Sequence, residues 1–209
     1  MRKGKSRVVL GVVIIVCLGL ALGFHSQARA HADTLDSPVV KDAKIALDKK
    51  DVTPLLKWVK REREIEVCEA FNKALASRNK SPQDKAIADR AFFEVLVKAY
   101  QEGQELSYTG IKPADALPNL ILLEADTALD KGSSSETLEQ LSAINATSAI
   151  KTRFNKVAEK RKKMNESIDA GREYVEAYVE FINYLEQLSI AIEAKKLPQK
   201  VTQESQQKK

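Results

Sequence analysis

The sequence predicts an all-α fold, a six-helix bundle built from two tandem three-helix repeats. Three observations predict it. The second half returns the first at a distance of about eighty residues, hydroxyl–proline pairs mark helix starts, and β-branched residues never alternate with polar ones over a useful length. The repeat is the most specific of these. Ala43-Lys44-Ile45-Ala46-Leu47-Asp48-Lys49 returns as Ala125-Asp126-Thr127-Ala128-Leu129-Asp130-Lys131, Phe71-Asn72-Lys73 as Phe154-Asn155-Lys156, and Arg78 as Arg161. Arg90 to Val97 returns as Arg172 to Val179, which pairs Glu94 with Glu176. A period this long, seen twice, points to a duplicated multi-helix unit rather than a solenoid.

Residues 1–30 stand apart from the fold. Arg2, Lys3, Lys5 and Arg7 precede the apolar stretch Val8 to Phe24, and Ala28-Arg29-Ala30 supplies the small-x-small pattern of a signal peptidase site. The expectation is a signal peptide and an exported chain, in the periplasm, cell envelope or medium, that begins at His31. The alternative is an uncleaved anchor over residues 8–24, the one route to a membrane. Cys17 lacks the preceding small residue of a lipoprotein signal. Cleavage after Ala32 instead would remove His31.

The whole formal charge of +5 lies in that segment, because the chain from His31 carries as many basic as acidic residues. Basicity is therefore no argument for nucleic acid. Lys160-Arg161-Lys162-Lys163 reads as a solvated helix end, since no aromatic residues interleave it to stack bases. Cys68 is the one cysteine beyond the leader, so the core must hold without an internal disulfide. Its place on the stripe Ile65, Cys68, Phe71, Leu75 predicts a buried, inert thiol.

Residues 31–196 are expected to form one helical domain: repeat one over 36–106, a connector over 107–117, repeat two over 118–196. Ser37-Pro38, Thr53-Pro54 and Ser81-Pro82 place a hydroxyl at the N-cap and proline at the next position, where a missing N–H costs nothing. They predict helices near 38–49, 54–78 and 82–105. In the second repeat, Pro118 opens a helix to about 131, and Ser133 with Glu136 resembles a capping box for a helix over 136–163. The last helix, 167–195, shows the clearest stripe: Val175, Tyr178, Ile182, Leu185, Leu188 and Ile192, widened by Tyr174 and Phe181. That stripe reads as packing surface.

The repeats slip by one residue between Ser142 and Ala149. An extra residue turns the downstream part of a helix by about 100°, so the helix should kink or break there. Tyr108-Thr109-Gly110 and Lys112-Pro113 mark a turn-rich connector, read first as a plain link between the repeats, with lining a pocket as the alternative. The tail 197–209 is polar and expected to be disordered.

Little in the sequence carries chemistry. His31 is the one histidine beyond the leader, no glycine-rich phosphate loop follows a strand, and no Cys/His cluster has zinc spacing. Two candidate sites remain. A terminal His31 would offer an α-amine and an imidazole, a pair that chelates copper. Glu94 and Glu176, at one position of the repeat, would share a proton or a cation if they converge across a pseudo-twofold axis. The local reading pairs each with the arginine four residues earlier, Arg90 and Arg172, for only about 0.2–0.5 kcal/mol.

His31 to Val40, Phe92-Phe93-Glu94, Tyr108-Thr109-Gly110 with Lys112-Pro113-Ala114, and Gly171 to Phe181 together resemble an uncharacterised family of exported bacterial proteins. The family is a domain of unknown function whose mature part opens His-Cys-Asp-Thr. The resemblance covers about residues 31–190 and implies export and an all-helical domain, with no activity attached. Family members have cysteine where this chain has Ala32 and histidine where it has Tyr100 and Asn183. Those residues would make a transition-metal or haem site. Here His31, Asp33 and the glutamates remain, which implies a lost or weakened site.

The first reading is thus a non-enzymatic exported helical domain, a binding or cell-envelope accessory protein, with no cofactor, and monomeric or homodimeric. The alternative is a metal-binding protein using His31, Asp33, Glu94 and Glu176 for a divalent transition metal. Hydrolysis by the paired carboxylates is a third and weaker reading.

Overall fold

The structure, a computed structural model, describes residues 34–114, 120–132 and 147–206. Their regular structure is helical, and the one extended pairing among them is an isolated bridge between Thr34 and Lys112. Helix α1 runs Pro38–Lys49 and is followed by two 3-10 turns, Thr53–Trp58 and Arg61–Arg63. Then come α2 (Glu64–Ser77), α3 (Pro82–Gly103), α4 (Leu120–Lys131), α5 (Thr147–Lys163) and α6 (Ile168–Gln206).

Proline in the first turn opens α1 and α3 as the sequence predicts, but only one hydroxyl caps as expected. Ser81 accepts from the Asp84 amide at 3.0 Å, whereas Ser37 makes no side-chain cap bond. The Thr53 amide is itself held by Asp51, at 2.9 Å. Helix α1 buries Val39, Val40, Ala43, Ala46 and Leu47, one face at helical spacing, and ends on Lys50 in the left-handed conformation, φ 58°.

The helix expected over 54–78 is broken, and the break has a physical cause. Leu55, Leu56, Lys57, Trp58 and Val59 are buried one after another. Consecutive residues of an α-helix point about 100° apart, so no single face could hide all five. The tight turn and the extended Val59 (φ −123°, ψ 153°) hide them. Helix α2 then buries Val67, Phe71 and Ala74, while Ile65 is exposed and Cys68 only half-buried. The stripe through Ile65 and Cys68 is rotated from the true buried face. Burial and the Glu64 carboxylate still push the Cys68 thiol up, in keeping with an unreactive group.

Where the later boundaries fall on described residues they agree with the sequence, with two differences; the expected helix start at Ser133 and Glu136 lies outside the described residues. Helix α3 stops at Gly103, and α6 continues past residue 195 to Gln206, through most of the tail expected to be disordered. The expected kink between Ser142 and Ala149 falls largely on residues 133–146, outside the described residues, as does Pro118. The basic run Lys160–Lys163 occupies the last turn of α5, where helix carbonyls favour cations.

Helix α2 packs on α3 and α5 on α6, each pair closed by an edge-to-face phenylalanine contact. Phe71 meets Phe92 at 5.3 Å, and Phe154 meets Phe181 at 6.1 Å. Of the repeated positions, Phe71, Phe154, Phe92 and Tyr174 are buried, as is Val97, while Val179 is partly exposed. The first 3-10 turn bridges α1 and α6. Gly171 permits this approach, because a Cβ there would lie 2.7 Å from Lys57 Cβ. Next to it, Arg172 donates to the carbonyls of Val59 and Leu56 at 3.3 and 3.4 Å and pairs with Glu64 and Asp169. The sequence Gly171-Arg172 is therefore the clasp that holds the turn against α6.

Candidate functional site: an aromatic and acidic cleft

Trp58, the chain's only tryptophan, sits between α1, α3 and α6. Its ring lies 5.6 Å from Tyr100 of α3, 6.1 Å from Tyr178 and 6.5 Å from Tyr174 of α6, edge to face with each. Its indole N–H donates to Asp42 of α1 at 2.8 Å. Lys57, buried beside it, pairs with the same carboxylate at 2.8 Å and lies 5.7 Å from the ring centre. A buried ammonium needs such a partner, since desolvation without one is severe.

Beside this cluster lies a cleft of about 230 Å³ between α1, the first 3-10 turn, α4, the end of α5 and α6. Trp58, Tyr174 and Tyr178 line it, together with Asp42, Asp126 and Asp130. Asp126 is buried, and Tyr178 donates its hydroxyl to it at 2.9 Å. Asp130 pairs with Arg161 at 2.7 Å. Burial holds the Tyr100, Tyr174 and Tyr178 phenols well above their ordinary pKa, and the negative charge of Asp126 adds to the effect in all three. All three therefore stay neutral through the physiological range.

A family model for a family of unknown function, DUF6448, matches residues 36–184. The chain belongs to this family. The resemblance to an uncharacterised family is borne out at that level, and the DUF6448 match takes in every residue that lines the cleft. Comparison with curated proteins and with solved structures gives no match.

The residues singled out from the sequence fare differently. His31 and Asp33 lie outside the described residues. Glu94 is half-buried on α3 with Arg90 at 3.4 Å, the local pairing. Glu176 is exposed on α6, and Arg172, its expected partner, is engaged by Glu64 and Asp169 instead. Arg90 also donates to the Ile111 carbonyl at 3.3 Å, one residue from the bridge that ties Thr34 to Lys112. The connector thus pins the start of the domain beside α3. No group of three or more His, Cys, Asp or Glu side chains suited to a metal ion occurs among the described residues.

Sequence reasoning passes over Trp58, Asp42 and Asp126, although a signal for them is present in part. Trp58 is unique in the chain, and Asp126 stands where Lys44 does in the otherwise closely matched segment Ala43 to Lys49. Tyr174 and Tyr178 read as packing surface, which they are on one side. The other side faces the cleft.

Proposed function

We propose that this DUF6448 protein is an exported, non-enzymatic binding domain, and that the cleft beside Trp58 holds its ligand. The observation that carries this reading is a cavity with aromatic walls and a small number of polar groups, which is how small-molecule sites are commonly built. Among the described residues that line it, none pairs a nucleophile with a base: the tyrosines are neutral, and the carboxylates accept hydrogen bonds or pair with cations. The exported state rests on the basic, apolar and small-residue pattern of residues 1–30. N-terminal sequencing of protein recovered from envelope or medium should begin at His31, and an intact Met1 chain in the membrane fraction would contradict export.

The tandem duplication is part of the same proposal. It is supported by an ion pair that recurs at equivalent positions, Arg78 with Asp48 and Arg161 with Asp130. The asymmetry is informative. Only the second repeat carries Asp126, Tyr174 and Tyr178 at the cleft, so the duplicated unit has diverged toward one site.

Ile45 is half exposed at the cleft and offers a clean test. Ile45→Trp should fill the opening without disturbing the core. Mass spectrometry of small molecules released by denaturing the protein from its own cells should find a compound with wild type that is missing from the variant. Equal recovery from both, or from neither, contradicts a ligand site here.

A further inference from the structure

We propose that the cleft takes a small monocarboxylate with an apolar body, gripped by the guanidinium of Arg161, an inference that rests on reading the cleft as a ligand site. The sequence matches Arg161 with Arg78, and the two share one contact. Each donates through Nη2 to the Oδ1 of its matched aspartate, Arg78 to Asp48 at 2.9 Å and Arg161 to Asp130 at 2.7 Å. Arg78 also spends its other nitrogens. Asp89 takes the Nε–Nη2 edge in a two-pronged bond at 2.8 and 3.0 Å, and the Leu47 carbonyl accepts from Nη1 at 2.8 Å. The residue that matches Asp89 is Gly171, just as Arg90 matches Arg172. The second repeat therefore has no carboxylate at that position, and among the described residues Asp130 is the one hydrogen-bond partner of the Arg161 side chain. Arg78 is sealed at 8% exposure, whereas Arg161 is 28% exposed and lines the cleft.

Total charge does not choose a ligand here, because Lys41, Lys57 and Arg161 balance Asp42, Asp126 and Asp130. Spare bonding capacity does. Each of these carboxylates already accepts from a side chain: Asp42 from Lys57 and Trp58, Asp126 from Tyr178, and Asp130 from Arg161. A guanidinium carries five N–H donors, and those on Nε and Nη1 of Arg161 remain for a ligand. Its planar fork fits a carboxylate, which accepts two parallel bonds from it. A neutral carbonyl has no second oxygen for the fork. A dianion such as a phosphate ester meets more repulsion from the neighbouring aspartates than a single carboxylate does. Pro38, Ile45 and Met164, each at least partly exposed, offer apolar surface to the rest of the ligand.

The matched arginines supply both probe and control. The ¹⁵N-labelled protein, as processed by the producing cell, is titrated with benzoate and hexanoate and with their uncharged amides, benzamide and hexanamide. The Arg161 Nε–H resonance, identified by its absence from Arg161→Lys, should shift saturably with either carboxylate. The Arg78 Nε–H resonance, already held by Asp89, should stay in place. Both amides should bind at least about tenfold more weakly than their acids, because they lack the second oxygen and the charge. Arg161→Lys keeps the positive charge and loses the fork, so carboxylate binding, followed at the Trp58 indole resonance, should weaken at least about tenfold. Amides that bind as tightly as the acids, or equal binding by Arg161→Lys, overturn the carboxylate while leaving the cleft as a ligand site. No shift of the Arg161 resonance with either acid also overturns it. If in addition no compound is recovered in the Ile45→Trp comparison, the binding-site reading falls as well.

Discussion

The carboxylate of Asp42 accepts from the Lys57 ammonium and the Trp58 indole at once, and both donors are buried. Removing it leaves a buried cation and a buried N–H without their acceptor. Asp42→Ala should therefore lower stability by about 2–4 kcal/mol, measured by urea unfolding. Change within about 0.5 kcal/mol would show that Lys57 reaches water. The tyrosines set a second residue-scale expectation. Their folded pKa values are raised, so their contribution is fully present below the unfolded phenol pKa of about 10 and is lost as pH rises toward the folded values. Stability should decline above about pH 10, and phenolate absorbance from these three should appear together with unfolding. Titration of all five tyrosines near pH 10 in a still-folded protein would contradict their burial.

At the scale of elements, the contact between α6 and the first 3-10 turn is the least forgiving. Gly171→Ala would drive a methyl to 2.7 Å from Lys57 Cβ and should cost about 1–3 kcal/mol. Gly103→Ala is the matched control. Its Cβ would meet Lys60 at an ordinary 3.6 Å, and alanine favours the helix, so stability should hold or rise by up to about 1 kcal/mol. Equal effects of the two changes would argue against the close approach. This junction is also where sequence reading falls short. Helices α1 and α3 are legible because proline, spacing and a single buried face agree. The 3-10 turn is not, because Thr53-Pro54-Leu55-Leu56-Lys57-Trp58 has the local signals of a helix start. Burial of five consecutive residues overrides them, a tertiary demand with no periodic trace. The cleft is hidden for the same reason: Trp58, Asp42, Asp126 and Tyr178 are far apart in the chain, and only the broken helix brings them together.

For the molecule as a whole, two ideas about function compete, and they make opposite demands on the repeat. A shared carboxylate site needs Glu94 and Glu176 to act together. The observed placement, Glu94 against Arg90 and Glu176 at the exposed surface, argues for independent roles. Glu94→Gln with Glu176→Gln should leave copper, zinc and manganese affinity unchanged in calorimetric titration and shift stability by less than about 1 kcal/mol. Clear loss of affinity in the double variant would restore the shared site. The cleft, by contrast, depends on Trp58 bringing α1, α3 and α6 to one place. Nuclear Overhauser contacts from the Trp58 indole ring test that most directly. Cross-peaks to the rings of Tyr100, Tyr174 and Tyr178 together are expected, with an indole N–H slow to exchange against Asp42. An indole that shows none of the three and exchanges freely with solvent would contradict the cleft, and with it the function proposed for this chain.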